Sequence, residues 1–307
     1  MLNFVKKTIK TMGAGLLGLG LSLIPGGIWG GLYMLNLKTG PSVPWAVIPM
    51  AAVLWLMWQY LNGKGWPRSS SEARRTLMRA RRVPARTFGW AFFAGALAIV
   101  ALAGYWIVLF QLVKMPGNVL PNPSDYPLLT MALFMIMGSL VSPFSEEAGL
   151  RGYCQSMLER EFRGPIAVVI SSVFFAFGHY NHGLLWPKLT VYFLAGLAFG
   201  AIAYLTKSIL PGIPVHMLGD LTFFALVWPY DTSRRLVWDG GADAWFWIHF
   251  GQAIVFTALA ILAYRKLAGS LNAPVAHAND AMPVGGRLGI VGNHEDGLAQ
   301  PLVQPLQ

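Results

Sequence analysis

Glu146 and Glu147 close a run of uncharged residues from Tyr126 to Ser145, and Arg151 follows one turn later. Residues four apart share a helix face, so Glu147 and Arg151 are placed to pair, while Glu146 points about a quarter-turn away. One carboxylate is then neutralised and the other is left free. A free carboxylate in an apolar setting is suited to exchange a proton near neutral pH, the task of a general base or acid. Two further apolar runs repeat the spacing, with Phe175 before His179 and His216 before Asp220. A charge near a bilayer centre costs about 2.5–3.5 kcal/mol, so the whole set represents roughly 10 kcal/mol if its members stay apart. Facing each other they can do chemistry instead.

The elements that must position these residues are membrane helices. Of the 307 residues, 55% are hydrophobic and only 12% charged, half the share usual in a soluble domain. Eight apolar runs predict an all-α, polytopic integral membrane protein of about eight transmembrane helices. They lie at roughly 12–37, 43–61, 88–113, 126–144 (continuing as helix to about 161), 165–180, 189–205, 213–228 and 245–264. The first run follows a basic start and is too long for a cleaved signal peptide, so a retained span is expected. With eight spans and an inner N-terminus, 18 Lys and Arg fall inside and five outside. That asymmetry predicts both termini in the cytoplasm. The expected location is a bacterial inner membrane.

Three regions follow from this pattern. Residues 1–125 carry the N-terminal helices, with a basic cytoplasmic segment at 62–87 whose residues 64–86 are expected to contact anionic lipids rather than nucleic acid. Residues 126–268 form the intramembrane core, and 269–307, rich in Ala, Pro, Gly and Asn, are expected to be a flexible tail. Within the core, Pro143 is expected to kink its helix. About the turn at Gly164-Pro165, Glu146 lies 18 residues before and His179 15 residues after. Both then sit about 23–27 Å from that turn, level to within about one helical turn. His216, following Pro211-Gly212, comes out shallower by a turn or more on the same count.

The three motifs, Glu-Glu-x-x-x-Arg, Phe-x-x-x-His and His-x-x-x-Asp, in this order on core helices, resemble the CAAX-protease and bacteriocin-processing family of intramembrane proteases, also called the Abi family. The resemblance covers roughly residues 126–228. It implies an eight-helix membrane protein with a cavity open to the cytoplasmic side, and an endopeptidase acting on membrane-associated, lipidated or leader-bearing peptides and proteins. Carried over by position, Glu146 activates water with His179, while His216 and the residue at 220 stabilise the oxyanion. Glu147, Arg151 and Phe175 support the site. Members related to the eukaryotic enzyme carry Asn where this chain has Asp220. An amide donates a hydrogen bond and an ionised carboxylate only accepts, so Asp220 is open to a second role, orienting His216.

Metal-free glutamate catalysis is the expectation, with zinc held by Glu146, His179 and His216 as the alternative. Cys154 has no feature that would make it a nucleophile, and as the single cysteine it excludes an internal disulfide. His182 is expected at the far interface and His249 in packing. Gly196 and Gly200, like Gly26, Gly27, Gly30 and Gly31, are read as helix-packing positions. The contrasting function is a non-proteolytic scaffold or a proton-coupled transporter using the same groups as a relay. A transporter would more naturally carry an inverted repeat, and none is evident.

Overall fold

The computed structural model describes residues 2–117 and 125–272, and every regular element among them is helical. In chain order these are α1 (Leu2–Thr39), α2 (Val47–Leu61), the short α3 (Ser71–Met78), α4 (Ala85–Leu112), α5 (Leu128–Leu158), α6 (Gly164–Gly178), α7 (Trp186–Thr206), α8 (Gly212–Thr222) and α9 (Ala244–Asn272). Proline marks several entries, with Pro84 and Pro127 preceding α4 and α5, and Pro165 and Pro187 in the first turns of α6 and α7. A missing N–H costs nothing there, because the first turn has no acceptor for it.

All eight apolar runs form helix, and five helices among the described residues are long and apolar enough by themselves to cross a membrane. These are α1, α4, α5, α7 and α9, while α2 and α6 are shorter at 15 residues each. The eighth run gives only 11 residues of α-helix in α8 before widening into a π-helical turn at Phe223–Val227. Hydropathy marks where chain is buried, and a segment buried among other helices need not run the full bilayer thickness. Of the expected tail, residues 269–272 continue α9, and 273–307 lie outside the described residues.

Gly196 and Gly200 do bring helices together. A Cβ on Gly196 would lie 2.8 Å from the Cβ of Ser172, and one on Gly200 would lie 3.0 Å from Val168. By contrast, Gly26, Gly27, Gly30 and Gly31 face open space within the chain.

Glu159, just past the end of α5, ties the core to the basic segment. Arg79 donates to both of its carboxylate oxygens at 3.0 and 2.8 Å, Lys207 donates at 3.2 Å, and Gln155 adds a bond at 3.1 Å. Arg79 and Lys207 end α3 and α7 in the left-handed region, with φ of 55° and 52°. Such a backbone is unfavourable for a residue with a Cβ and persists where its surroundings hold it. Here they do. Arg79 accepts a bond from the Ile209 amide, the Arg81 guanidinium donates to the Lys207 carbonyl, and the Ser208 hydroxyl donates to the Arg81 carbonyl. Ser208 and Ile209 are fully buried, so α8 starts inside the protein rather than at its surface.

Burial alone would raise the Glu159 carboxyl, but the Arg79 bonds and charge, with Gln155 and Lys207, hold it below the usual carboxylate range. The resulting stabilisation is present above the unfolded value, about 4.3, and is lost as pH falls through the folded one. Glu159→Gln should therefore cost about 2 kcal/mol at pH 7. Its melting temperature in detergent should lie below wild type there, and the gap should close as pH drops below about 4. A gap independent of pH would mean that the charge contributes nothing.

Candidate active site

The site forms where α5 departs from α-helical geometry. Pro143 lacks the N–H that would continue the ladder, and the Ser145 hydroxyl donates back to the Val141 carbonyl at 2.7 Å. From Glu147 to Cys154 the backbone runs as π-helix, a form that clusters at functional sites because it re-aims side chains. All eight residues of that stretch are buried.

Glu147 is fully buried. Its Oε1 accepts a hydrogen bond from Nδ1 of His216 at 3.0 Å and lies 3.6 Å from the Arg151 guanidinium. Glu147 thus joins two groups, where the spacing alone suggested a partner only for Arg151. Arg151, also buried, makes no hydrogen bond through its guanidinium nitrogens. It lies instead between aromatic rings, 4.0 Å from the Phe175 centroid and 5.3 Å from that of Phe199. Cation–π attraction is strong where water is excluded.

Glu146 is the carboxylate left open. The Ser142 hydroxyl donates to its Oε1 at 2.6 Å, while Oε2 has no hydrogen-bond partner in the chain. Electrostatically it faces both His179 and His216. The far nitrogen of His216, Nε2, lies 3.9 Å from Glu146 Oε2 and 3.7 Å from Asp220 Oδ1. A water off the line between Glu146 and His216 could sit within about 2.8 Å of both. Glu146 and Asp220 are the accessible members, with side chains 17% and 18% exposed against 4% for His216, so the centre opens on their side.

His179 follows the last residue of α6 and bonds the Phe175 carbonyl through Nδ1 at 2.8 Å, leaving Nε2 for the site. His216 stacks on Phe199 at 4.3 Å, with 17° between the planes. The depth gap expected for His216 is closed by the buried start of α8. Asp220 makes no hydrogen bond to His216. The group that orients this imidazole is Glu147, on its other nitrogen.

Sequence reasoning missed Ser142, Phe199 and Tyr192. A hydroxyl four residues before Glu146 was a readable signal for the first, since that spacing shares a helix face. The two rings on α7 carried none. His182 is half-buried beside the centre. Its Nδ1 accepts from the Tyr192 hydroxyl at 2.7 Å, and its ring lies 5.5 Å from that of His179. Cys154 is buried, consistent with an inert thiol.

No three His, Cys, Asp or Glu side chains among the described residues converge so as to hold a metal ion. Glu146, His179 and His216, the set expected for zinc as the alternative, are not drawn together as such a group.

Long apolar helices that enclose carboxylates and imidazoles define an integral membrane protein with a polar centre inside its helical core. Residues 128–222, from the start of α5 to the end of α8, match the family described as Type II CAAX prenyl endopeptidase Rce1-like. That stretch contains all three motifs, and the match is consistent with the CAAX-protease and bacteriocin-processing family that they resemble. No curated protein and no solved structure matches the chain.

Because Glu147 carries both Arg151 and His216, Glu147→Gln should destabilise the protein by about 3 kcal/mol, leaving a buried cation unbalanced. Removing that cation as well, in Glu147→Gln/Arg151→Met, should recover part of the loss. Thermal melting in detergent reads both. A double variant no more stable than the single one would sever the pair.

Proposed function

We propose that this protein is a CAAX-type intramembrane endopeptidase that hydrolyses peptide bonds of lipidated, membrane-associated peptides or proteins by glutamate-activated water. The observation that carries the proposal is Glu146, whose buried Oε2 has no hydrogen-bond partner and whose carboxylate faces two imidazoles, inside a segment that matches a prenyl endopeptidase family.

Glu146 takes a proton from a water held with His179, and the hydroxide attacks the peptide carbonyl. Negative charge then develops on the carbonyl oxygen. His216 donates to it through Nε2–H as an imidazolium, its charge balanced by Glu147 on the other nitrogen. Asp220 lines the same mouth and serves the oxyanion only in its protonated form, because an ionised carboxylate has no hydrogen to donate. The tetrahedral intermediate collapses as the proton on Glu146 passes to the leaving amine. No metal enters this sequence.

Glu146→Gln keeps the shape and removes the base, so it should abolish cleavage of a farnesylated peptide while leaving the melting temperature unchanged. Wild-type activity should survive a chelator, and Asp220→Asn should retain it. Activity lost on chelation and restored by zinc would overturn the metal-free mechanism. A fully active Glu146→Gln would overturn the assignment of the base.

We further propose an orientation with both termini in the cytoplasm and the basic segment against anionic headgroups. The 18-to-5 partition of Lys and Arg supports the orientation. In support of lipid contact, Lys64, Arg68, Arg75, Arg81, Arg82 and Arg86 are exposed, and Trp66, a residue typical of membrane interfaces, is 85% exposed. Four arginines of the segment also bond within the chain: Arg75 pairs with Glu72, and Arg81 donates to the Lys207 carbonyl. Arg79 binds Glu159, and buried Arg74 donates to the carbonyls of Tyr60, Lys64, Gly65 and Pro67. A cysteine placed at Ser233 should be labelled by an impermeant thiol reagent in intact cells. Labelling only after permeabilisation would reverse the topology.

A further inference from the structure

A second buried polar cluster backs onto His179, away from the carboxylates. Lys188, near the start of α7, is 1% exposed, and its ammonium donates to the carbonyl of His182 at 2.9 Å. Its charge faces Asp231, which is 3% exposed and accepts from the Trp106 indole at 2.9 Å and from the Arg234 guanidinium at 3.2 Å. The ring of His182 meets Trp228 edge-on at 5.4 Å, and its Nδ1 accepts the Tyr192 hydroxyl proton. Tyr192 in turn lies flat on His179, with centroids 4.0 Å apart and 18° between the planes.

We propose that Tyr192 is a positioning residue for His179, itself held in place by the His182, Lys188 and Asp231 assembly behind it. The inference rests on reading His179 as part of the hydrolytic centre. A single hydrogen bond from Nδ1 to the Phe175 carbonyl fixes where that nitrogen sits but leaves the ring free to swing about the bond. The Tyr192 face removes that freedom, and Phe175, tilted at 59° and 4.6 Å away, adds a second ring contact. Nε2 is thereby aimed at the centre before any substrate arrives. A hydrogen bond from the hydroxyl to His182 pins the tyrosine ring at its far end. His182 is pinned through its backbone by Lys188, whose burial would be unfavourable without Asp231 nearby. The chain of contacts runs from α4 through the loop after α8 to α7 and back to the end of α6. It holds in register the segments that flank the site.

The experiment compares wild type with Tyr192→Phe, which keeps the ring, and Tyr192→Leu, which removes it. Turnover of a farnesylated peptide is measured beside the imidazole 15N signals of His179, assigned by their loss in His179→Gln. A stacked ring pair of this kind is worth about three- to tenfold in rate. Tyr192→Leu should lower kcat by about that factor with KM unchanged, and should broaden or move the His179 signals. Tyr192→Phe, which keeps the ring but loses its bond to His182, should fall between wild type and Tyr192→Leu on both readouts. Should the leucine variant not fold, Tyr192→Met fills the volume without a ring and is read in its place. A leucine variant with wild-type kcat and unmoved His179 signals overturns the inference. So does a phenylalanine variant as damaged as leucine, which would put the effect in the hydroxyl. If wild type cleaves nothing, the protease proposal fails, while the 15N signals still decide the role of Tyr192.

Discussion

A charge inside hydrocarbon has no solvent to fall back on, and the core of this protein is organised by that shortage. Glu147 answers for two groups at once, the Arg151 guanidinium and the His216 imidazole. Arg151 has no hydrogen bond and leans on the faces of Phe175 and Phe199. The same two rings touch the histidines, Phe175 against His179 and Phe199 against His216. Two carboxylates, one arginine, two histidines and two aromatic rings therefore share one set of contacts. What stabilises the buried charges also fixes the geometry of the chemistry, and Glu146 is left with one oxygen uncommitted.

Helices from separate parts of the chain must arrive at that centre at the same depth. For α5 and α6 the short connection at residues 159–163 enforces it. For α8 it depends on Glu159, which gathers Arg79 and Lys207 and so draws the loop before α8 into the protein. The basic segment is thus part of the core's support on its inner side and a candidate lipid surface on its outer side. Two arginines of one run, Arg79 and Arg82, differ in role because only the first meets a carboxylate.

Spacing made the α5 pairing, the α6 histidine and the α8 histidine legible, because four-residue intervals carry over directly into shared helix faces. The hairpin count put Glu146 and His179 near one level, and the two do face each other electrostatically. What spacing could not reveal was where the geometry stops being regular. A count at 1.5 Å per residue presumes helices that start at the surface, and α8 does not. It presumes 3.6 residues per turn, which the π-helical stretch breaks, so the bond from Glu147 to His216 was invisible. Nor could spacing show that His182 bonds Tyr192, which lies ten residues on and in another helix. Hydropathy marked every helix but the short basic α3, and it marks burial by protein and burial by lipid alike.

The π-helical stretch also sets the phase of α5. On a regular helix each residue advances about 100°, so one extra residue accommodated within a turn rotates everything beyond it by that amount. Upstream of the stretch, Ser142 and Glu146 address the histidines, and downstream Gln155 and Glu159 address α7 and the basic segment. The two ends of one rod are dialled to different partners by a local change of pitch. A chain one residue shorter between Ala148 and Tyr153 could relax to an ordinary helix with sound hydrogen bonds throughout. Its two halves would nonetheless be about a quarter-turn out of step, each able to seat its own partners only at the expense of the other's.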